Sequence, residues 1–194
     1  MYMKNIIFDI GGIIFDDSKA NMEKLLNKNC DLIYKSIYGK GFKKCLLGEK
    51  TVDSLIQESL NDKNYDEIKY MLYKKNLPTT YPIIKENFEY IKTLKDKYNL
   101  YLLTNITEDS YNYVNKTIDI EKKFKGGVYS YQEHLIKPDK SIYDLILKKY
   151  DLKKEETIFF DDRLKNVEAA ENIGIKAVLF KSIEDIKNNI WKFN

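Results

Sequence analysis

The stretch IIFDIGGII, residues 6–14, is the segment that decides the fold. It begins with three bulky apolar residues, which are typical of a buried β-strand, and continues into Asp9 and, after Ile10, two glycines. The same arrangement returns in TIFFDD, residues 157–162, where an apolar run again ends in acidic residues. Strands of this composition are typical of a parallel sheet that is buried on both faces.

Similar apolar runs recur along the chain and alternate with segments patterned as helices. Residues 83–98 and 140–150 carry apolar side chains three and four positions apart, as an amphipathic helix does. This alternation predicts an α/β fold, a Rossmann-like parallel five-stranded sheet flanked by helices with right-handed crossovers. The predicted strands are residues 5–8, 100–103, 127–131, 157–160 and 176–180.

Residues 17–77 interrupt the alternation, because they contain several amphipathic stretches and no convincing strand. We read this interval as an inserted helical cap. Such an insertion lies above the carboxyl ends of the strands, where open α/β sheets bind their ligands. The predicted parts are a Rossmann-like core of residues 1–15 and 84–194 and a helical cap of residues 16–83.

Composition places the chain among soluble globular proteins. Hydrophobic residues make up 43% of the 194, and eight glycines and three prolines are too few for a linker. The 33 basic and 30 acidic residues are spread along the chain, which speaks against a nucleic acid partner. No stretch approaches the ~18 apolar residues of a membrane span. We therefore expect a cytoplasmic protein without nucleic acid or membrane partners, and a monomer by default.

Polar residues follow the ends of four predicted strands. They are Asp9, Thr104, Asn105, Lys137, Asp161 and Asp162. Because strand ends at one edge of a parallel sheet converge, we expect these side chains to face one cleft. Carboxylates, a hydroxyl and an ammonium group in one cleft suit a phosphate group and a divalent cation.

Taken singly, these residues have ordinary structural explanations. The aspartates are common turn and cap residues, and Thr104 with Asn105 could cap a helix that starts near Glu108. Lys137 alone would more often be a solvated lysine. Their joint occurrence in this order favours a shared site.

Four motifs in this order resemble the signatures of the haloacid dehalogenase superfamily. They are IIFDIGGII, YLLTN, LIKPDKSIY and IFFDDRLKNVEAAENIGI. Within the superfamily the chain is most similar to alpha-glucose-1-phosphatase-type sugar phosphatases and to the phosphatase domain of soluble epoxide hydrolase. The resemblance implies a Mg²⁺-dependent phosphatase with a cap of the C1 type, acting on a small-molecule phosphate ester, with a sugar phosphate favoured.

The resemblance also implies a role for the acidic residues. Asp9 would attack phosphorus in line and form an aspartyl-phosphate that water then hydrolyses. Mg²⁺ would bind the carboxylates of Asp9 and Asp162 and the backbone carbonyl of Gly11. Asp161 would lie behind these ligands and hold a metal-bound water.

The other motif residues would serve the phosphate. Thr104 and the Asn105 amide would donate hydrogen bonds to phosphate oxygens, and Lys137 would neutralise charge on the transferring group. His134, the only histidine, lies three residues before Lys137. The superfamily motif has no catalytic histidine there, so an ordinary loop residue is the favoured interpretation.

The first motif departs from the commonest phosphatase pattern at Gly11. That pattern has a second aspartate there, which protonates the leaving group and activates water. The acid/base role is therefore vacant in this sequence. Asp16 and Asp17, just beyond, are candidates for it, with helix N-capping as the alternative for both.

Two other functions stay open. A 2-haloacid dehalogenase would use the same aspartate on carbon, but such enzymes carry a cap arginine, whereas the only arginine here is Arg163 in the predicted core. A catalytically weak or inactive binding or regulatory protein is suggested by Gly11. The intact Asp9, Lys137 and Asp162 argue against that loss of activity.

Overall fold

The computed structural model describes residues 3–190, and within them the strands form one parallel sheet. The strands are β1 (Asn5–Phe8), β2 (Asn99–Thr104), β3 (Gly126–Tyr129), β4 (Thr157–Asp161) and β5 (Lys176–Leu179). In this part of the chain the sheet has five strands in the order β3-β2-β1-β4-β5. The predicted α/β architecture is confirmed.

Helices fill the connections between the strands. Between β1 and β2 lie α1 (Lys19–Leu26), α2 (Asp31–Gly39), α3 (Phe42–Leu46), α4 (Val52–Glu58), α5 (Tyr65–Leu72), α6 (Leu77–Thr80) and α7 (Lys85–Thr93). After β2 come α8 (Glu108–Ile118), α9 (Ile120–Lys123), α10 (Ser130–Glu133), α11 (Lys140–Lys149), α12 (Leu164–Asn172) and α13 (Ile183–Ile190). Short 3₁₀ turns occupy Lys74–Asn76, Leu94–Asp96 and Lys154–Glu156.

Two predicted elements end earlier than their patterns indicate. The third strand stops at Tyr129, because the buried Ser130 turns inward, donates to the Leu46 carbonyl oxygen at 2.6 Å and opens α10. The helix predicted over 83–98 is α7, which tightens into the 3₁₀ turn at its carboxyl end.

Alternate side chains of β1 enter different apolar layers on the two faces of the sheet. Ile6 and Phe8 belong to one cluster, in which the Phe8 and Phe160 rings stack with centroids 5.6 Å apart. Ile7 belongs to the opposite cluster with Phe159 and Tyr143. Because both faces are buried, a ligand meets the sheet at the ends of its strands.

Helices α1 to α6 are here called the helical segment 19–80, and α1 to α5 pack around an apolar cluster of their own. The segment leaves and rejoins the chain at one place, because the Asp16 N–H donates to the Pro82 carbonyl at 2.9 Å. The exact boundaries of the core and the cap stay a prediction. Both ends of the predicted core, residues 1–2 and 191–194, lie outside the described residues. Across residues 3–190, every helix is too short or too polar to cross a membrane.

Candidate active site

Asp9 lies at the carboxyl end of β1, with its carboxylate against the ammonium group of Lys137. The distance from Asp9 Oδ2 to Lys137 Nζ is 2.9 Å, and the two residues are only 6% and 2% exposed. The same ammonium donates to the Leu103 carbonyl oxygen at 2.8 Å and to Asp161 Oδ2 at 2.6 Å. Three acceptors match the three donors of a lysine. The interpretation of Lys137 as a solvated lysine is therefore wrong.

Burial and charge act in opposite directions on this pair. Burial raises the pKa of Asp9 to about 6, although the Lys137 ammonium lowers it. Burial also works against the charged form of Lys137, but the Asp161 and Asp9 carboxylates outweigh it and raise the pKa of Lys137. Above about pH 7 the pair is therefore a buried carboxylate beside a buried ammonium.

Three carboxylates meet at the ends of β1 and β4. One oxygen from each of Asp9, Asp161 and Asp162 lies within 4.8 Å of the other two. Asp162 is the most accessible, with 30% of its side chain exposed, and burial raises its pKa to about 6. Clustered carboxylate oxygens of this kind are hard ligands, which suit Mg²⁺.

Asp161 is held from several directions and is fully buried. Its Oδ1 accepts from the Arg163 N–H and from Asn166 Nδ2, both at 2.9 Å, and its Oδ2 accepts from Lys137. The carboxylate therefore fixes Lys137. Sequence reasoning had not singled out Asn166, although its place in the last motif was a signal. Asn166 Oδ1 is buried and has no hydrogen-bond partner among the described residues.

The two polar residues that end β2 have different environments. Both ends of the Asn105 amide hold the backbone of Lys137: Oδ1 accepts from its N–H at 2.8 Å, and Nδ2 donates to its carbonyl at 2.9 Å. Thr104 is 1% exposed. Thr107 caps α8, so the alternative that Thr104 and Asn105 cap this helix is wrong. Their role toward phosphate stays a prediction.

Asp17 fills the space that a side chain at position 11 would need. A Cβ placed on Gly11 would lie 2.6 Å from Asp17 Oδ2, closer than real contacts allow. The Arg163 guanidinium lies 3.6 Å from the same oxygen. Burial raises the pKa of Asp17 to about 6, against the lowering effect of Arg163. Asp16 instead accepts the Ser18 N–H at 2.9 Å, next to the start of α1.

A cavity of about 170 Å³ lies between these residues and the helical segment 19–80. Asp9, Gly11, Asp17, Lys137 and Arg163 line its polar side. Asp9 of the acidic cluster, the buried ammonium and the Asp17 carboxylate thus line one space, which is suited to a small anionic ligand.

His134 bonds to the helical segment. Its Nδ1 is 2.7 Å from the Leu47 carbonyl oxygen, and His134 is not among the residues that line the cavity. The ring therefore ties the turn after β3 to the segment, in agreement with its interpretation as a loop residue.

Comparisons with known proteins bear on what this site does. A family model for haloacid dehalogenase-like hydrolases matches residues 3–174. The phosphorylated carbohydrates phosphatase of Thermotoga maritima is 26% identical over 186 residues, which cover 91% of this chain and 84% of that protein. A sesquiterpene phosphatase of Aspergillus oryzae is 36% identical over 76 residues, or 39% of each chain.

A solved structure resembles the whole fold. The HAD family enzyme bt-2542 of Bacteroides thetaiotaomicron, crystallised in complex with magnesium and inorganic phosphate, has a TM-score of 0.73 at 21% identity. The likeness covers 96% of this chain and 98% of that one. Since the family model spans most of the sequence and the fold agrees with it, the chain belongs to the haloacid dehalogenase-like hydrolases.

Proposed function

We propose that this protein is a Mg²⁺-dependent phosphatase that hydrolyses a small phosphate monoester through a covalent intermediate on Asp9. The observation that carries the proposal is the buried Asp9 carboxylate, which adjoins the cavity and is held 2.9 Å from Lys137. The Thermotoga maritima and Aspergillus oryzae relatives, both named as phosphatases, support the reaction class.

The residues present fit a magnesium ion. Asp9 and Asp162 would hold it by their carboxylates and Gly11 by its backbone carbonyl, with Asp161 behind them. The orphaned Asn166 Oδ1 beside Asp161 is a second sign that a polar ligand completes the site. When bound, the cation would supply positive charge to offset the phosphate and the carboxylates. The bt-2542 structure, which contains magnesium and phosphate, supports this assignment.

The side chains of this chain then divide the chemistry between them. The Asp9 carboxylate is fixed at both oxygens, because Oδ1 accepts the Ile10 N–H at 2.7 Å and Oδ2 accepts from Lys137. One of these oxygens forms a bond to phosphorus while the bond from phosphorus to the leaving oxygen breaks. Water then attacks phosphorus and releases Asp9 with inorganic phosphate. Lys137 offsets charge on the transferring group, and Asn105, which lines the cavity, supports the phosphate. Thr104 is buried and is not among the lining residues, so its proposed contact with the phosphate is the weakest part of the set.

Each half of this reaction needs a proton carrier. The leaving oxygen takes up a proton in the first half, and the attacking water gives one up in the second. We propose Asp17 for both transfers, because its carboxylate fills the place of the side chain missing at Gly11 and lines the cavity. Asp16 bonds to the start of α1 instead and is not among the lining residues.

Release of inorganic phosphate tests the proposal. The wild type and Asp9→Asn are compared on para-nitrophenyl phosphate, acetyl phosphate and a panel of alkyl and sugar phosphates, with Mg²⁺ and with a chelator. We expect release that needs Mg²⁺ and that falls about a thousandfold or more in Asp9→Asn. A wild type that releases no phosphate from any ester overturns the proposal, and so does an Asp9→Asn protein of full activity.

A further inference from the structure

The side of the cavity that belongs to the helical segment 19–80 is walled mainly by hydrocarbon. Its lining includes Met22, Ile37, Phe42, Val52, Met71 and Leu77. Among residues 3–190, four charged side chains line the cavity, and all four, Asp9, Asp17, Lys137 and Arg163, come from outside the segment. The charge needed for a phosphate group is therefore gathered at one end, and the other end is apolar.

Few polar side chains line the apolar side within the described residues, and some of them already form hydrogen bonds to other protein groups. Thr80 donates to the Asn76 carbonyl oxygen at 3.2 Å. Thr107, at the edge of the cavity, accepts the Ser110 N–H at 3.3 Å. The Ser110 hydroxyl, also at this edge, accepts from the Thr107 hydroxyl at 3.0 Å. The other hydroxyls on this side belong to tyrosines, each carried on an aromatic ring: Tyr34, Tyr38 and Tyr81. A sugar carries several hydroxyl groups, and this wall offers few side-chain partners for them.

The free-energy cost of burying sugar hydroxyl groups without hydrogen-bond partners favours an apolar leaving group. A hydroxyl group that leaves water without gaining a hydrogen-bond partner is penalised, whereas a hydrocarbon gains free energy on the same transfer. The available volume limits the size. A dry apolar cavity of ~150 Å³ in another protein holds one benzene molecule. The cavity of about 170 Å³ here is shared with the phosphate, so the leaving group that it suits is no larger than about one six-membered ring.

We infer that the substrate is a phosphate monoester of a compact apolar alcohol, with the hydrocarbon against the helical segment and the phosphate against Asp9 and Lys137. The inference rests on the proposed phosphatase function and adds the substrate class to it. A sugar phosphate, favoured by the sequence resemblance, is the competing expectation.

Two substrates separate these expectations. Cyclohexylmethyl phosphate and glucose 6-phosphate each place a six-membered ring one methylene group away from the ester oxygen. They differ in the hydroxyl groups and ring oxygen of the sugar. With saturating Mg²⁺, we expect kcat/KM for cyclohexylmethyl phosphate to be higher by about a hundredfold or more. Equal values, or a preference for glucose 6-phosphate, overturn the inference and leave the phosphatase standing. No release from either ester or from acetyl phosphate overturns both.

A variant of the apolar wall gives a second, independent measurement. Met71 is 8% exposed and belongs to the apolar cluster of the segment. Met71→Gln brings an amide of similar size into the wall, and Met71→Leu is the matched apolar control. We expect the ratio of the two kcat/KM values to fall about tenfold or more in Met71→Gln and to stay near wild type in Met71→Leu. The ratio does not depend on how much protein is folded, and an unchanged ratio in Met71→Gln contradicts the inference.

Discussion

The Asp17 carboxylate occupies the space in front of Gly11, with Oδ2 2.6 Å from the point where a side chain at position 11 would begin. A carboxylate therefore stands where the commonest phosphatase motif has one, although it comes from six residues further along the chain. If it carries the proton, esters with poor leaving groups depend on it most.

Replacing Asp17 by asparagine tests this dependence. We expect Asp17→Asn to lower kcat about a hundredfold or more on an alkyl phosphate and much less on para-nitrophenyl phosphate, whose leaving group departs without a proton. Asp16→Asn is the matched control, since Asp16 bonds to the Ser18 N–H instead of lining the cavity. Equal losses on both esters would assign Asp17 a purely structural role.

Replacing Lys137 by methionine should damage both activity and stability. Its ammonium lies between Asp9 and Asp161, and its loss leaves two buried carboxylates without their partner, at a cost of about 3–5 kcal/mol of unfolding free energy. Because Lys137 lowers the pKa of Asp9, the acid limb of the pH–rate profile should move upward. Activity should fall about a hundredfold or more.

The control for this variant is Lys140→Met. The Lys140 side chain is 68% exposed and pairs with Asp144 on the surface of α11, so its removal should change the unfolding free energy by less than about 0.5 kcal/mol. Urea unfolding and a pH series of kcat/KM make the comparison. Similar stability losses at the two lysines would contradict a buried, charged Lys137.

Magnesium ions and protons should compete for the acidic cluster. Burial raises the pKa values of Asp9 and Asp162 to about 6, above the 3.8 of a free aspartate. A raised folded-state pKa favours the folded protein at low pH, and this contribution is lost as pH rises from about 4 through 6. Mg²⁺ binds the ionised carboxylates, so it should restore stability most above pH 6.

Thermal unfolding with Mg²⁺ or with a chelator measures this competition. We expect the Mg²⁺-dependent rise in Tm to be larger near pH 7.5 than near pH 5. Asp162→Asn should remove most of the rise, because it takes away the more accessible carboxylate of the cluster. A rise of the same size at both pH values would contradict this prediction.

Substitution of alanine for two glycines of the helical segment should change the stability of the protein to different extents. Gly48 has a φ of +69°, and a Cβ there would collide with the Tyr131 carbonyl oxygen, so Gly48→Ala should destabilise the protein by about 1–3 kcal/mol. Gly39 ends α2 with nothing within 4 Å of an added Cβ, so Gly39→Ala should be neutral or slightly stabilising. Chemical denaturation of both variants decides, and a neutral Gly48→Ala would contradict the close approach.

The sheet could be predicted from sequence because its strands are largely buried, so their polar residues stand at the strand ends and the residues between them are apolar or glycine. Hydrophobicity could not predict the roles of residues whose position depends on tertiary contacts. Tyr34 and Tyr38 lie in amphipathic helices, where the sequence pattern favours packing, yet both line the cavity, since hydrophobicity alone does not say which face meets a ligand. The sequence left Asp16 and Asp17 as equal candidates for the acid/base role, and only the fold shows that Asp17 lies against Gly11.

The turn after β3 does two things at once. Ser130 and His134 bond to the carbonyl oxygens of Leu46 and Leu47 in the helical segment, and three residues beyond His134 the same loop carries Lys137 into the site. It follows that the segment cannot swing away at this edge without breaking two hydrogen bonds to the loop that carries the buried ammonium. Access for a substrate and placement of positive charge are thereby mechanically linked through eight consecutive residues, 130–137.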